Sequence, residues 1–321
     1  MSIKIQGDRA FLAESLYGTS YEPNYSGALS FLRRSYSRDL KGVDVAVLGI
    51  PFDLATSNRP GSRFGPRAVR EASADLAWGA HFPWGFDPFE RLAVIDYVDV
   101  LFDYGDPRSL VDSVQRQVAT ILSAGVETLC IGGDHFVTLP ILREQAAKHG
   151  PISLVHFDAH TDTEPDGGEF DHGSMFLTAV REELIAPERS VQVGIRTHYE
   201  QADHELTVLD APTIHRVGVE ATIAAIKESV GDGKAYLTFD IDCLDPSFAP
   251  GTGTPVVGGL SSAVVLEILR GLVDLRWIGM DVVEVAPAYD VGSITALAAA
   301  SLAMEYLCMR SMNRPVHARN D

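Results

Sequence analysis

Short apolar runs alternate with longer amphipathic stretches along most of this chain. Runs of about 4–8 residues rich in Val, Ile and Phe indicate buried strands, and stretches of about 10–15 residues with helical periodicity indicate helices. The pattern predicts strands at residues 43–51, 92–100, 127–133, 152–157, 190–197, 207–210, 234–242 and 275–280. It predicts helices at residues 65–76, 108–124, 137–148, 220–229, 262–272 and 294–308.

This alternation predicts βαβ units and a three-layer αβα fold with a largely parallel central sheet, covered on both faces. Residues 41–321 show no linker, internal repeat or low-complexity segment, so we expect one domain there. Residues 1–40 have a mixed composition and are predicted to form an N-terminal arm that packs on the body or on a neighbouring subunit.

Composition and charge limit the class of protein, its cellular location and its partners. Of its residues, 46% are hydrophobic and 22% are charged, which is typical of a soluble globular protein. We expect a cytoplasmic protein, because the sequence has no apolar run of membrane-spanning length, no secretion signal and only three scattered cysteines. The formal net charge of −18 argues against nucleic-acid binding and is compatible with a cationic substrate.

Polar side chains follow the predicted strand at 152–157. In the segment ISLVHFDAHTD, Asp158, His160 and Asp162 occupy every second position. On an extended backbone all three would point into one space, where two carboxylates and an imidazole suit a divalent cation. The alternative is a solvated polar loop after a buried strand.

Other polar groups also follow predicted strands. GGDH places His135 at the head of a helix, although a Gly-Gly turn with Asp134 as helix cap would look the same. Asp240 and Asp242 are predicted to share one strand face, with Cys243 alternating away from it. Glu284 follows a further strand, where a salt bridge or a cap is the structural alternative.

Taken together, these groups favour one shared metal site over separate loops and caps, because the carboxyl ends of parallel strands meet at one edge of the sheet. Four carboxylates and two imidazoles would meet there, and without cations the like charges of the carboxylates would repel one another by several kcal/mol. Two divalent ions would offset that charge, and the oxygen-rich donor set favours Mn²⁺, with Zn, Co or Ni as rivals. A two-metal site that activates a shared water as hydroxide indicates hydrolysis.

The motifs GGDH, HFDAHTD and FDIDCLDPSFAPGTGTP, in this order, resemble the arginase/agmatinase (ureohydrolase) family over about residues 45–309. The segments ATSNRPGSRFGP, FPWGFD, FDHGSMF and MDVVEVAPAYD are similar to the bacterial agmatinase branch of that family. The resemblance implies an arginase-like fold, a ureohydrolase catalytic domain in residues 41–321, two Mn²⁺ ions per subunit and a homo-oligomer, either a trimer or a hexamer.

Residue roles also follow from the resemblance. It implies one ion held by His135, Asp158, Asp162 and Asp240, and a second held by His160, Asp158, Asp240 and Asp242. It further implies that Asp162 holds the bridging hydroxide, that Glu284 pairs with the guanidinium, and that His172 carries a proton to the leaving amine. His156 is in phase with these residues but is not a ligand in that family, so we expect a core or supporting role.

The loop before His172 bears on the substrate. Arginases hold the amino-acid carboxylate with Ser and Asn there, whereas this chain has Gly168 and Phe170. The nearby Glu169 and Asp171 would repel a carboxylate and tolerate an ammonium group. The resemblance therefore implies hydrolysis of agmatine to putrescine and urea, with 4-guanidinobutyrate or arginine as alternative substrates.

Overall fold

The computed structural model describes residues 9–19, 22–200 and 205–317. Within them, the chain forms a nine-stranded sheet in the order β1-β3-β2-β4-β9-β8-β5-β6-β7. Every pairing in this sheet is parallel. The strands are β1 (Ser35–Tyr36), β2 (Val45–Gly49), β3 (Val94–Asp99), β4 (Glu127–Ile131), β5 (Ser153–Phe157), β6 (Val191–Ile195), β7 (Thr207–Asp210), β8 (Lys234–Asp240) and β9 (Arg276–Val283).

Helices cover both faces of the sheet. They are α1 (Arg9–Leu12), α2 (Gly65–Ser73), α3 (Pro107–Ser123), α4 (Thr138–His149), α5 (Met175–Arg181), α6 (Ala211–Val217), α7 (Val219–Val230), α8 (Ser262–Gly271) and α9 (Ile294–Ser311). Alternate strand residues serve opposite faces. In β2, Val45 and Val47 pack in the core under α2, α8 and α9, whereas Ala46 and Leu48 pack in the core under α3, α4 and α5. The predicted αβα fold is confirmed, with a sheet that is parallel throughout the described residues.

Most predicted elements are present, with ends that differ by a few residues. The sequence pattern did not predict α1, β1, α5 or α6, which are short or weakly periodic. The strand predicted at 234–242 is too long, because β8 ends at Asp240 and a 3₁₀ turn, Ile241–Cys243, follows. Among the described residues, no helix is long and apolar enough to cross a membrane.

Two buried arginines within the N-terminal segment hold its backbone together, and one of them also contacts the body at Phe89. The Arg34 guanidinium donates to the carbonyls of Leu16 and Gly18 and lies 4.2 Å from the centroid of the Phe89 ring. Arg33 donates to three carbonyls of the same segment. The segment is thus held by hydrogen bonds to backbone oxygens, while its separation from the body as an arm at residue 40 stays a prediction.

The order of the middle strands locates the site. β4, β9, β8 and β5 are neighbours in space, in an order that differs from their order along the chain. Their carboxyl ends carry the four polar segments singled out in the sequence. The topology therefore brings those segments to one edge of the sheet.

Candidate metal centre

The segment after β5 turns sharply. The strand ends at Phe157, so the alternation of side chains expected through Asp162 does not continue. Asp162 has a φ of +53°, a left-handed conformation that is unusual for a residue with a side chain. The His160 amide donates to Asp158 Oδ1 over 2.6 Å, which closes the first turn. Asp158 and Asp162 do converge, but the turn, and not an extended backbone, brings them together.

The segment after β4 needs its second glycine. A Cβ on Gly133 would lie 1.7 Å from the carbonyl oxygen of Phe52. Asp134, expected as a possible helix cap, makes no cap hydrogen bond; its Oδ2 accepts from the amide of Ala55. His135 begins a 3₁₀ turn that leads into α4, as the sequence predicted for the head of a helix. The close approach of two loops thus sets the position of His135.

Asp240 and Asp242 do not share a strand face, which corrects the sequence prediction. Asp240 is the last residue of β8, and its Oδ1 accepts from the amide of Asp242, capping the 3₁₀ turn. Asp242 is held separately, because its Oδ1 accepts from the amide of Ala159 and its Oδ2 from the Thr254 hydroxyl. Cys243 is buried, with its Sγ 3.5 Å from the Val193 carbonyl oxygen.

Three carboxylates surround one nitrogen of His135. Its Nδ1 lies 3.0 Å from an oxygen of Asp158, 3.0 Å from one of Asp162 and 3.4 Å from one of Asp240. The other nitrogen, Nε2, is 2.8 Å from the Thr238 hydroxyl, whose proton is donated to Asp281. The Thr238 oxygen must therefore accept from Nε2, which leaves the Nδ1 lone pair available toward the carboxylates.

A second cluster shares Asp158. The Nδ1 of His160 lies 3.3 Å from Asp158 Oδ1 and 3.2 Å from Asp242 Oδ2. Asp158 Oδ2 faces His135, so its two oxygens serve the two clusters separately. Asp240 Oδ2 lies near His135 Nδ1, while its Oδ1 accepts from the amide of Asp242. Candidate ligand atoms of His135, His156, Asp158 and Asp162 lie within 4.8 Å of one another, as do those of Asp158, His160 and Asp242.

The electrostatics of the clusters call for positive charge. Burial, reinforced by the charge of Asp158, raises the pKa of Asp162 to about 7, and burial with the charge of Asp242 raises the pKa of Asp240 well above its usual range. Burial would lower the pKa of His160, but Asp242 and Asp158 raise it to about 12. Buried acids that favour protons in this way are also suited to cations, and the set of carboxylates and imidazoles without thiolates fits two hard or borderline divalent ions.

Glu284 and His172 lie against this centre. Glu284, with a φ of +64°, accepts at Oε1 from the amide of His135 over 3.0 Å and from His172 Nδ1 over 2.8 Å. Its other oxygen, Oε2, is buried without a hydrogen-bond partner among the described residues. Burial would lower the pKa of His172, but the hydrogen bond from its ring to Glu284, with the charge of that carboxylate, raises it to about 9.

A cavity of about 330 Å³ opens beside the centre. It is lined by Ser57, His160, Thr161, Asp162, Glu164, Asp171, His172, Gly173, Thr197, His198, Asp240 and Thr254. Glu169, expected near the substrate, instead pairs with Arg108 at the surface over 2.7 Å and does not line this cavity. Asp171 does line it, and the exposed carboxyl of Glu164 is an acid that the sequence interpretation missed.

Sequence reasoning also missed residues that support the site. Ser57 contacts His172 through both its amide and its hydroxyl, and Thr238 contacts His135 from inside β8. The resemblance of ATSNRPGSRFGP to a family segment was a signal for Ser57. The signal for Thr238 was weaker: its hydroxyl lies two residues before Asp240 in an apolar strand.

Comparison with known proteins defines the class. The model of the Arginase family matches residues 43–309, and the chain belongs to that family. An agmatinase from Chromobacterium violaceum is 56% identical over 308 residues, which cover 95% of this chain and 95% of that protein. These matches confirm the predicted family and the predicted enzyme class, a hydrolase of the arginase family related to the agmatinases.

Solved structures agree with the sequence relatives. A hypothetical agmatinase from Burkholderia thailandensis superposes with a TM-score of 0.93 at 54% identity, covering 95% of this chain and 98% of that one. A proclavaminate amidino hydrolase from Streptomyces clavuligerus has a TM-score of 0.86 at 39% identity, covering 90% and 99%. The chain thus shares nearly its whole fold with a hypothetical agmatinase and with an amidino hydrolase.

Proposed function

We propose that this protein hydrolyses agmatine to putrescine and urea, using two Mn²⁺ ions per subunit. The observation that carries the proposal is the pair of histidine–carboxylate clusters that share Asp158, next to an unpaired oxygen of Glu284. Its support from relatives is the 56% identity to an agmatinase over nearly the whole chain.

The proposed ligands follow the two clusters. His135, Asp158, Asp162 and Asp240 would hold one ion, and His160, Asp158, Asp240 and Asp242 would hold the other. The shared position of Asp158 favours this assignment, and Asp240 contacts a member of each cluster, His135 through Oδ2 and the Asp242 amide through Oδ1. When bound, two such ions lower the pKa of a shared water toward neutrality and supply Lewis acidity.

Glu284 is proposed to orient the substrate. A guanidinium is planar and cationic, and a carboxylate oxygen can accept its N–H groups. Oε2 of Glu284 is suited to this because Oε1 is already held by His135 and His172. The attacking water, with Asp162 accepting its hydrogen bond, would then meet a carbon atom that is fixed in place.

His172 is proposed to protonate the departing nitrogen. Its Nε2 is 3.0 Å from the Ser57 amide, which can only donate, and 2.7 Å from the Ser57 hydroxyl, which can also accept. The ring therefore has a partner at Nε2 whether it carries that proton or not. A proton on the departing nitrogen lets the tetrahedral intermediate collapse to urea and an amine.

The cavity wall supports an amine-tailed substrate. Glu164 and Asp171 both line it, and they would attract the ammonium end of agmatine and repel the carboxylate of arginine or 4-guanidinobutyrate. Phe170 packs against Phe136 with ring centroids 5.3 Å apart, so that position offers no hydrogen-bond donor to a substrate carboxylate.

A urea assay tests the proposal directly. The enzyme would be stripped of metal, then assayed with agmatine, arginine and 4-guanidinobutyrate, each with and without added Mn²⁺. We expect Mn²⁺-dependent urea release with agmatine preferred. Urea from arginine but not from agmatine would overturn the substrate assignment.

The proposed metal centre is tested separately by substitution of Asp158. Asp158→Asn keeps the shape of the side chain but removes the charge shared by both clusters, so we expect loss of Mn²⁺ binding in calorimetry and at least a hundredfold loss of activity. Glu169→Gln is the matched control, because Glu169 pairs with Arg108 at the surface. Full activity in Asp158→Asn would refute the proposed centre.

A further inference from the structure

A second row of buried polar side chains lies behind the proposed centre. Gln192 of β6 and His156 of β5 are direct partners in the register of the two parallel strands. Both side chains are completely buried among apolar strand residues. Buried polar groups at such positions need defined hydrogen-bond partners, and their placement can specify a single arrangement.

The orientation of the Gln192 amide follows from its partners. Its Nε2 is 2.6 Å from the carbonyl oxygen of Thr161, an atom that can only accept. The same Nε2 is 3.0 Å from His156 Nδ1. Because the NH₂ group has two hydrogens, one serves Thr161 and the other points to His156.

This amide determines where the imidazole proton sits. With a donor facing Nδ1, that nitrogen must accept, and the ring proton of the neutral histidine lies on Nε2. Nε2 is 2.7 Å from Asp158 Oδ2, so His156 donates to the carboxylate shared by both clusters. The hydrogen bonds thus run in one direction, from Gln192 through His156 to Asp158.

We propose that Gln192 and His156 are positioning residues. His156 orients Asp158, and Gln192 keeps His156 from becoming a third imidazole ligand. His156 Nε2 is close enough to bind an ion, since its ligand atom lies within 4.8 Å of those of His135, Asp158 and Asp162. The proton that Gln192 maintains on Nε2 prevents it. The inference rests on the proposed metal-dependent function.

Metal preference is the predicted consequence. With His156 excluded, the proposed residues would offer each ion one nitrogen ligand and otherwise carboxylate oxygens, a set that suits Mn²⁺. An unprotonated Nε2 would add a nitrogen to the His135 cluster and favour Zn²⁺, which prefers imidazole. The hydrogen bonds from Gln192 through His156 to Asp158 therefore disfavour Zn²⁺, which binds most protein sites more strongly than Mn²⁺ does.

Substitutions at Gln192 test the direction of the hydrogen bonds. Gln192→Met removes the donor at nearly constant volume, and Gln192→Glu replaces it with an acceptor that favours a proton on Nδ1. We expect the ratio of Zn²⁺ to Mn²⁺ affinity, measured by competition calorimetry, to rise about tenfold or more in Gln192→Glu and less in Gln192→Met. Gln145→Met is the control, because Gln145 is equally buried but bonds to Thr128.

Substitutions at His156 test the donor itself. The amide of Gln can reach the position of the imidazole Nε2–H, so His156→Gln should keep Mn²⁺ affinity within a few fold. His156→Phe fills the space without a donor and should weaken Mn²⁺ binding by about 10–100-fold. Circular dichroism and thermal unfolding would confirm that each variant folds.

Two outcomes would overturn the inference while leaving the proposed function intact. One is unchanged Mn²⁺ affinity and metal ratio in folded Gln192→Glu and His156→Phe, with binding still abolished in Asp158→Asn. The other is a ¹⁵N spectrum of the metal-free wild type with the His156 proton on Nδ1. If the wild type bound neither ion, the proposed function would fail, and this inference with it.

Discussion

At the scale of single residues, tautomers and protons decide what this site can do. His135 and His156 have rings with centroids only 5.1 Å apart, yet their hydrogen bonds give them different roles. Thr238 accepts from His135 and leaves its Nδ1 facing the carboxylates, while Gln192 donates to His156 and leaves a proton facing Asp158. The same kind of side chain is thus suited to bind a metal ion in one case and to support a carboxylate in the other.

The contact between Ser57 and His172 gives a prediction about pH. The pKa of His172 is raised to about 9, so the ring keeps its proton through neutral pH. Ser57→Ala removes the hydroxyl that can accept this proton at Nε2, which destabilises the charged ring and lowers its pKa. We expect the alkaline limb of the kcat profile to move to lower pH by about one unit.

The control for this prediction is Ser57→Thr, which keeps the hydroxyl and the amide. Its pH profile should match that of the wild type. An alkaline limb that does not move in Ser57→Ala would show that the hydroxyl has no part in holding the proton.

The sequence allowed prediction of residues whose chemistry is explicit, such as Asp158, His160 and Asp242. It did not allow prediction of how they are brought together. Asp162 adopts a left-handed conformation and Asp242 sits in a 3₁₀ turn, and they contact residues that follow other strands, His135 and Ala159 respectively. Hydrophobic periodicity describes one segment at a time. It therefore does not predict which residues contact each other across the sheet, such as Gln192 and His156.

At the scale of elements, the loops after the strands are fitted tightly to each other. Gly133 passes directly under Phe52, at a distance that excludes any side chain. The turn after β8 is similarly held, since the Arg196 guanidinium donates to the carbonyls of Asp242 and Val256. These contacts make the positions of the proposed ligands depend on neighbouring loops as well as on their own strands.

A glycine substitution tests the fit of these loops. Gly133→Ala would place a Cβ 1.7 Å from the Phe52 carbonyl oxygen, so the two loops must separate. We expect the free energy of unfolding to fall by about 3 kcal/mol and Mn²⁺ affinity to fall with it. Denaturant unfolding measures the first and calorimetry the second.

Gly168→Ala serves as the comparison, because a Cβ there meets nothing within 4 Å. It should leave both quantities within experimental error. Equal stability of Gly133→Ala and the wild type would mean that the loops are more adaptable than this packing implies.

The turn after the 3₁₀ segment gives a prediction at acid pH. Burial would raise the pKa of Asp245, but hydrogen bonds from Ser247, Gly258 and Gly259 lower it to about 2. A depressed carboxyl pKa contributes stability above its unfolded value of about 4, and this contribution is lost as pH falls toward 2.

Asp245→Asn should therefore be less stable than the wild type by about 1 kcal/mol above pH 5, a modest effect because the group is only partly buried. The difference should shrink steadily below pH 4. Thermal unfolding across pH 2.5–7 provides the measurement, and a difference that is independent of pH would contradict the role of the charge.

At the scale of the whole molecule, the N-terminal segment depends on Arg34. Burial lowers the pKa of this guanidinium to about 9, and its donors are used by the carbonyls of Leu16 and Gly18. Arg34→Met would leave those carbonyls without a donor, so we expect about 2–4 kcal/mol lower stability. We also expect faster proteolysis before residue 40.

Arg38→Met provides the comparison in the same segment, because Arg38 makes its hydrogen bonds at the surface. Its effect on unfolding and proteolysis should be small. Should the two variants be cleaved at the same rate, the buried arginine would not be what holds the segment.

The strand order has a consequence for biosynthesis. The Glu284 carboxylate accepts from the amide of His135, a residue 149 positions earlier, and β9 lies between β4 and β8. A nascent chain cannot complete the centre until β9 has emerged from the ribosome. Since contacts this distant in sequence form late, metal capture would follow translation. A polypeptide that stops before β9 would carry all six proposed metal ligands but would lack the strand between β4 and β8, so we expect it to retain Mn²⁺ less well than the finished chain.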